Sequence, residues 1–152
     1  MRRESKVRLI NHITFLENEI KDYENFKSLS WEEYNKDRDR RRSVERWIEN
    51  IVNSSIDIAK IILASEDILL PDTYKEIVNS LSLVSGFDKE NIESLSEWVK
   101  LRNIISHEYL DIRWASIKKF IESSKPMYEN FFDKVKEYLK GRLDEEELVS
   151  NE

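Results

Sequence analysis

The chain has no cysteine, and only two glycines and two prolines among its 152 residues. Without cysteine there is no disulfide, no thiolate-bound metal and no cysteine nucleophile, which fits a reducing compartment. So few glycines and prolines leave few places to break a helix, and apolar residues recur at spacings of three and four rather than two. Long hydrophobic runs are missing as well. The longest aliphatic one is Ile61-Ile62-Leu63-Ala64, against the roughly 20 residues that a membrane helix needs. The first ten residues carry no apolar signal core, so the expectation is a cytoplasmic protein with no membrane segment. Positive charge is in deficit too: the net charge of −6 argues against nonspecific binding to nucleic-acid backbone, without forbidding a local basic patch. Arg38-Asp39-Arg40-Arg41-Arg42 is the candidate patch, although the simpler reading is a solvated helix face laced with ion pairs.

What is present describes a folded helical domain. Charged residues make up 37% and hydrophobic residues 39%, with four Trp, six Tyr and six Phe, so the chain reads as globular rather than disordered. Folding at this length hides about 68–70% of the surface of the unfolded chain. A first helix is predicted from Ser5 to Phe26, and Ser30-Trp-Glu-Glu33 has capping-box spacing for the next segment. Val44, Trp47, Ile48, Ile51, Ile58, Ile61 and Ile62 predict the longest core helix, ended between Asp67 and Pro71. Asp72 is the expected cap of a short helix closed by Gly86, and Asp88 the cap of a helix with the stripe Ile92, Leu95, Trp98, Leu101 and Ile105. Asp111 is the expected cap of a last helix, kinked near Pro126. No repeat or linker is visible. The expectation is one all-α bundle of about five helices over residues 1–141, followed by an acidic, frayed tail over 142–152.

The chemistry concentrates in Arg102-Asn-Ile-Ile-Ser-His107-Glu-Tyr109. An arginine forks onto phosphate oxygens, a histidine moves protons near neutral pH, and a phenol can hydrogen-bond or be modified. At about 100° per residue a straight helix places Tyr109 about 20° and His107 about 140° from Arg102. Two arrangements would reunite the set: a helix break before Asp111 that folds His107 back, or a two-fold partner that brings a second copy opposite the first. Such a set suits cleavage of RNA by its own 2′-hydroxyl, with imidazoles moving protons and arginine stabilising the phosphorane. Structural readings stand beside this one. Both cations suit the negative end of a helix dipole, Tyr109 on the core side would be a packed aromatic, and Asn103 could cap backbone.

The Arg102, His107 and Tyr109 spacing resembles the R-x4-H-x-Y signature of the HepT-like toxins of the HEPN superfamily. The likeness extends through Ser43-Val-Glu-Arg46, Asp57-Ile-Ala and Pro71-Asp-Thr-Tyr74 to Gly86, covering most of residues 43–113. The resemblance implies a HEPN-type up-and-down helical bundle and a homodimer with the motif at its interface. It further implies the toxin of a type VII (HEPN/MNT) toxin–antitoxin pair, a metal-independent endoribonuclease acting on RNA, with tRNA the candidate target and no cofactor. Arg102 and His107 carry over as the catalytic pair and Asn103 as a polar helper. Tyr109 matches the tyrosine that an MntA-like minimal nucleotidyltransferase antitoxin modifies with AMP. Asp57 is the candidate to orient Arg102, and His12 is read as a surface residue. With two histidines and no HExxH pattern, no metal site is expected. The alternative reading is a non-catalytic helical module that holds substrate for a nucleotidyltransferase.

Overall fold

A computed structural model describes residues 1–150, with side chains described as far as Leu143. Among the described residues there are nine α-helical segments, one 3-10 turn and no strand: α1 (Arg3–Lys21), α2 (Tyr23–Phe26), α3 (Trp31–Lys36), α4 (Arg38–Ser65), α5 (Tyr74–Asn79), α6 (Lys89–Trp98), α7 (Leu101–His107), α8 (Leu110–Ser123) and α9 (Lys125–Ser150). The all-α bundle is the expected class, with more breaks than the roughly five helices anticipated. No described helix is long and apolar enough to cross a membrane.

Local chemistry explains most of the breaks. Ser30 caps α3 by accepting from the Glu33 amide at 3.1 Å, and Asp37 caps α4 by accepting from Arg40 at 3.0 Å. The cap of α5 is Thr73 rather than Asp72: its hydroxyl accepts from the Glu76 amide at 3.2 Å. α4 ends in a Schellman turn. Asp67 takes a left-handed φ of 57°, the Ile68 amide reaches back to the Leu63 carbonyl and the Asp67 amide to Ala64. Gly86 is left-handed at φ 97° and carries the chain into Asp88, whose carboxylate caps α6. Asp111 does not cap α8, because Tyr109 occupies that position; Asp111 lies in the first turn, where an acid still suits the dipole.

The core is built around α4, which packs against α1, α3, α5 and α7, while α9 packs against α1, α6 and α8. The first predicted helix is split at Asp22. There the Trp47 indole N–H donates to the Glu19 carbonyl at 2.7 Å, satisfying an end carbonyl of α1. Tyr23 then turns inward, edge-on to Trp47 with centroids 4.7 Å apart and its hydroxyl 2.6 Å from Ser124 Oγ. Two arginines of the candidate basic patch are structural. Arg40 bonds the Asn25 carbonyl and covers the Phe26 ring, and Arg41 donates to the carbonyls of Tyr34 and Asn35. At the far end Arg142 pairs with Glu66 and stacks on Tyr138, so the first residue of the expected tail is tied to α4. Asn151 and Glu152 lie outside the described residues.

Candidate functional site

The motif occupies α7 and the two residues after it. Between α6 and α7 the chain tightens instead of running straight on. The amides of Val99, Lys100 and Arg102 donate three residues back, to Ser96, Glu97 and Val99, the 3-10 pattern. Leu101 and Ile105 are buried and set the phase of α7. Arg102 and Ser106 lie on one flank, where the Ser106 hydroxyl donates to the Arg102 carbonyl at 2.8 Å. Asn103 and His107, four residues apart, share the outward, exposed face. The helix does break before Asp111, but only after His107. Arg102 and His107 therefore keep their separation of about 140° around one helix, and the chain does not fold the imidazole back towards the arginine.

Among the described residues Arg102 is held by an aromatic ring, not by a carboxylate. Its guanidinium lies over Tyr74 at 4.7 Å from the ring centroid, and the Lys60 ammonium lies 5.1 Å from the same centroid. Asp57, the expected orienting residue, makes no ion pair with Arg102 among the described residues. Its place is a groove with Asn11, His12, Phe15, Asn50, Asn53 and Ser54, on the side of α4 that meets α1. His12 is accordingly half-buried rather than a plain surface residue. Cation–π contact leaves the N–H fork of Arg102 available to an anion, which a carboxylate partner would not.

After His107 the backbone becomes extended at Glu108 and Tyr109, with ψ 162° and 161°. The Glu108 carbonyl, which a continuing helix would use internally, accepts instead from Arg113 Nε at 2.7 Å. Arg113 is fixed in turn by Glu45 on α4 at 3.3 Å, the two side chains 24% and 14% exposed. The buried Tyr34 hydroxyl donates to the same carboxylate at 2.8 Å. Burial, then the Glu45 carboxylate, pushes the Tyr34 phenol well above its ordinary range, so it remains a donor. Consequently Tyr109 lies outside the helix and is 83% exposed. Neither the 20° alignment with Arg102 nor a packed core position holds for it. Spacing along the chain gave no sign of Tyr34, Glu45, Lys60 or Arg113 as parts of this site.

A family model described as Ribonuclease HepT-like matches residues 16–135, a span that contains every residue of this site. The chain belongs to the HepT-like ribonuclease family. The HepT-like fold is shared with solved structures. One is a tri-AMPylated Shewanella oneidensis HEPN toxin in complex with an MNT antitoxin, at TM-score 0.73 and 22% identity over 84% of this chain and 96% of that one. A tyrosine-to-alanine mutant of the MntA–HepT toxin–antitoxin matches at TM-score 0.73 and 20% identity, again over 84% and 96%. A toxin–antitoxin structure with AMP-PNP matches at 0.72 and 21% over the same shares. No curated protein sequence matches the chain. These likenesses establish the HEPN fold, in which α7 of this HepT-like chain carries Arg102, Asn103 and His107 as a surface feature.

Proposed function

We propose that this HepT-like chain is the toxin of a type VII toxin–antitoxin pair: a metal-independent endoribonuclease that works in the cytoplasm as a homodimer and is silenced by AMP transfer to Tyr109. The observation that carries the reading is uncompensated charge at the motif. In a molecule of net charge −6, Lys60 and Arg102 share the Tyr74 ring and neither has a carboxylate partner among the described residues. A phosphodiester supplies the missing anion. The divergence of Arg102 and His107 on α7 supports the homodimer, since an outward-facing histidine meets its counterpart when two copies pair about a two-fold axis. In such a cleft one imidazole removes the 2′-hydroxyl proton, the 2′-oxygen attacks phosphorus, and the second imidazole protonates the departing 5′-oxygen. The products are a 2′,3′-cyclic phosphate and a 5′-hydroxyl. Arg102 stabilises the phosphorane charge and Asn103 helps to hold the phosphate. Transfer RNA is the target we favour.

Tyr109 is free to enter another enzyme's active site, and the AMPylated state of the Shewanella oneidensis toxin supports a partner of the MntA type. The Tyr109 hydroxyl would attack the α-phosphorus of ATP, losing its proton as pyrophosphate departs. Each AMP then places negative charge and bulk two residues from His107, repelling RNA. Expression in bacteria tests the whole reading. Wild type is expected to arrest growth and His107→Ala to relieve the arrest. Co-expressed nucleotidyltransferase should rescue cells from wild type but not from Tyr109→Phe. Harmless expression of folded wild type would instead favour the module that holds substrate for a nucleotidyltransferase.

A further inference from the structure

Resting on the ribonuclease reading, we propose that the groove between α6, α7 and α8 is a subsite for one nucleotide of single-stranded RNA, its base on the apolar floor and its phosphate on the lysine rim. The groove encloses about 370 Å3 between Trp98, Ile104 and Met127 on the floor and Lys100 and Lys119 on the rim, a volume within the usual range for ligand sites. Its α7 wall continues into the motif. Lys100, Ile104 and His107 form an i, i+4, i+7 stripe, so Ile104 and His107 are separated by a rise of about 4.5 Å. A base resting on Ile104 leaves its neighbouring phosphate within reach of the imidazole.

The floor is pre-formed. The Trp98 indole N–H points at Met127 Sδ at 3.2 Å, and the ring stands edge-on to Phe120 with centroids 5.4 Å apart, so its orientation is set before anything binds. An apolar floor with an aromatic ring in it accepts any base, because every base has a π-face. The rim carries a charge surplus. Glu97 sits between Lys100 at 2.7 Å and Lys75 at 2.8 Å, one carboxylate for two ammonium groups, and the lysines hold its pKa down to about 2. Lys119, on the α8 side, makes no ion pair among the described residues. Lys100, Lys119 and Glu97 line the groove and sum to one positive charge beside an apolar strip, with Lys75 reaching Glu97 from outside it, the combination a nucleotide presents in reverse.

The test uses anisotropy of short labelled 2′-O-methyl oligonucleotides, which cannot react through a 2′-hydroxyl, titrated with wild type, Lys119→Ala and Ser123→Trp. Positions 119 and 123 are exposed on α8, and thermal melts are expected to match wild type. Lys119→Ala should weaken binding and lower the slope of log Kd against log salt by about 0.7, the value of one lost phosphate contact on a single strand. Wild type should prefer base-bearing strands to abasic ones of equal length by at least about fivefold. Ser123→Trp, which fills the groove without changing charge, should abolish that preference. An unchanged salt slope in Lys119→Ala, or an unchanged base preference in Ser123→Trp, overturns the subsite. Should wild type cleave RNA while both variants bind it normally, the subsite fails and the ribonuclease reading stands; if wild type binds no strand and cleaves no RNA, both fail.

Discussion

Arg113 terminates α7 from outside the motif. Its Nε–H takes the Glu108 carbonyl while a terminal N–H reaches Glu45, and both bonds depend on the planar spread of a guanidinium. A lysine keeps the charge but can serve only one of the two acceptors. Arg113→Lys is therefore expected to cost about 1–2 kcal/mol, a fall in Tm of roughly 2–8 °C, and to lower kcat for RNA more than it raises KM. An unchanged melting temperature would show that Arg113 does not hold this turn. The side chains proposed to do chemistry stand out in the sequence by their types and spacing, whereas those that place them do not. Glu45 and Arg113 are 68 residues apart, and no local pattern predicts such a pair. Asp57 illustrates the converse: its charge suggested a partner for Arg102, but its position on α4 turns it towards α1, and an aromatic ring does that work.

At the scale of elements, the caps Ser30 and Asp88 and the stop at Gly86 were readable because their chemistry is local, whereas Asp72 and Asp111 lie close to the true caps Thr73 and Tyr109. Ser30 and Asp88 act within three residues of themselves, and Gly86 supplies the left-handed φ that only glycine adopts without strain. The break between α6 and α7 was not readable, since it contains no glycine or proline and the tightening follows from packing Leu101 and Ile105 against α4. The link between α4 and α9 offers a pH test. The Tyr138 hydroxyl, donating at 2.7 Å, and then Arg142, hold the Glu66 carboxyl below its ordinary 4.5 against the opposing effect of burial. Because the folded state binds this proton less readily than the unfolded chain, the stabilisation is complete above the ordinary value and is lost as pH falls through the lowered one. Glu66→Gln should cost about 1 kcal/mol near pH 7 and progressively less below pH 4.5, read from urea midpoints across the acid range. A cost that is constant with pH would contradict the pairing.

At the scale of the whole molecule, positive charge placed locally would let an acidic chain act on the RNA substrate proposed for it. Lys60 and Arg102 on Tyr74, and Lys100 and Lys119 around the Trp98 groove, lie to either side of the outward row of Asn103 and His107. Net charge, summed over the chain, hides this distribution, which is why composition pointed away from nucleic acid while the motif pointed towards it. The fold class was legible in the scarcity of glycine and proline and in the apolar periodicity. The relation of Arg102 to His107 was not, because the two alternatives differ only in where one helix ends. With the break after His107, a single copy leaves the pair apart, and in the proposed dimer a second copy would supply the missing groups. The most direct test of the central claim is cleavage of purified tRNA and total RNA in EDTA by wild type and His107→Ala, with the product ends analysed. Cleavage by wild type only, leaving 2′,3′-cyclic phosphate, is the expected result; intact RNA after incubation with folded, dimeric and unmodified wild type would contradict the ribonuclease reading.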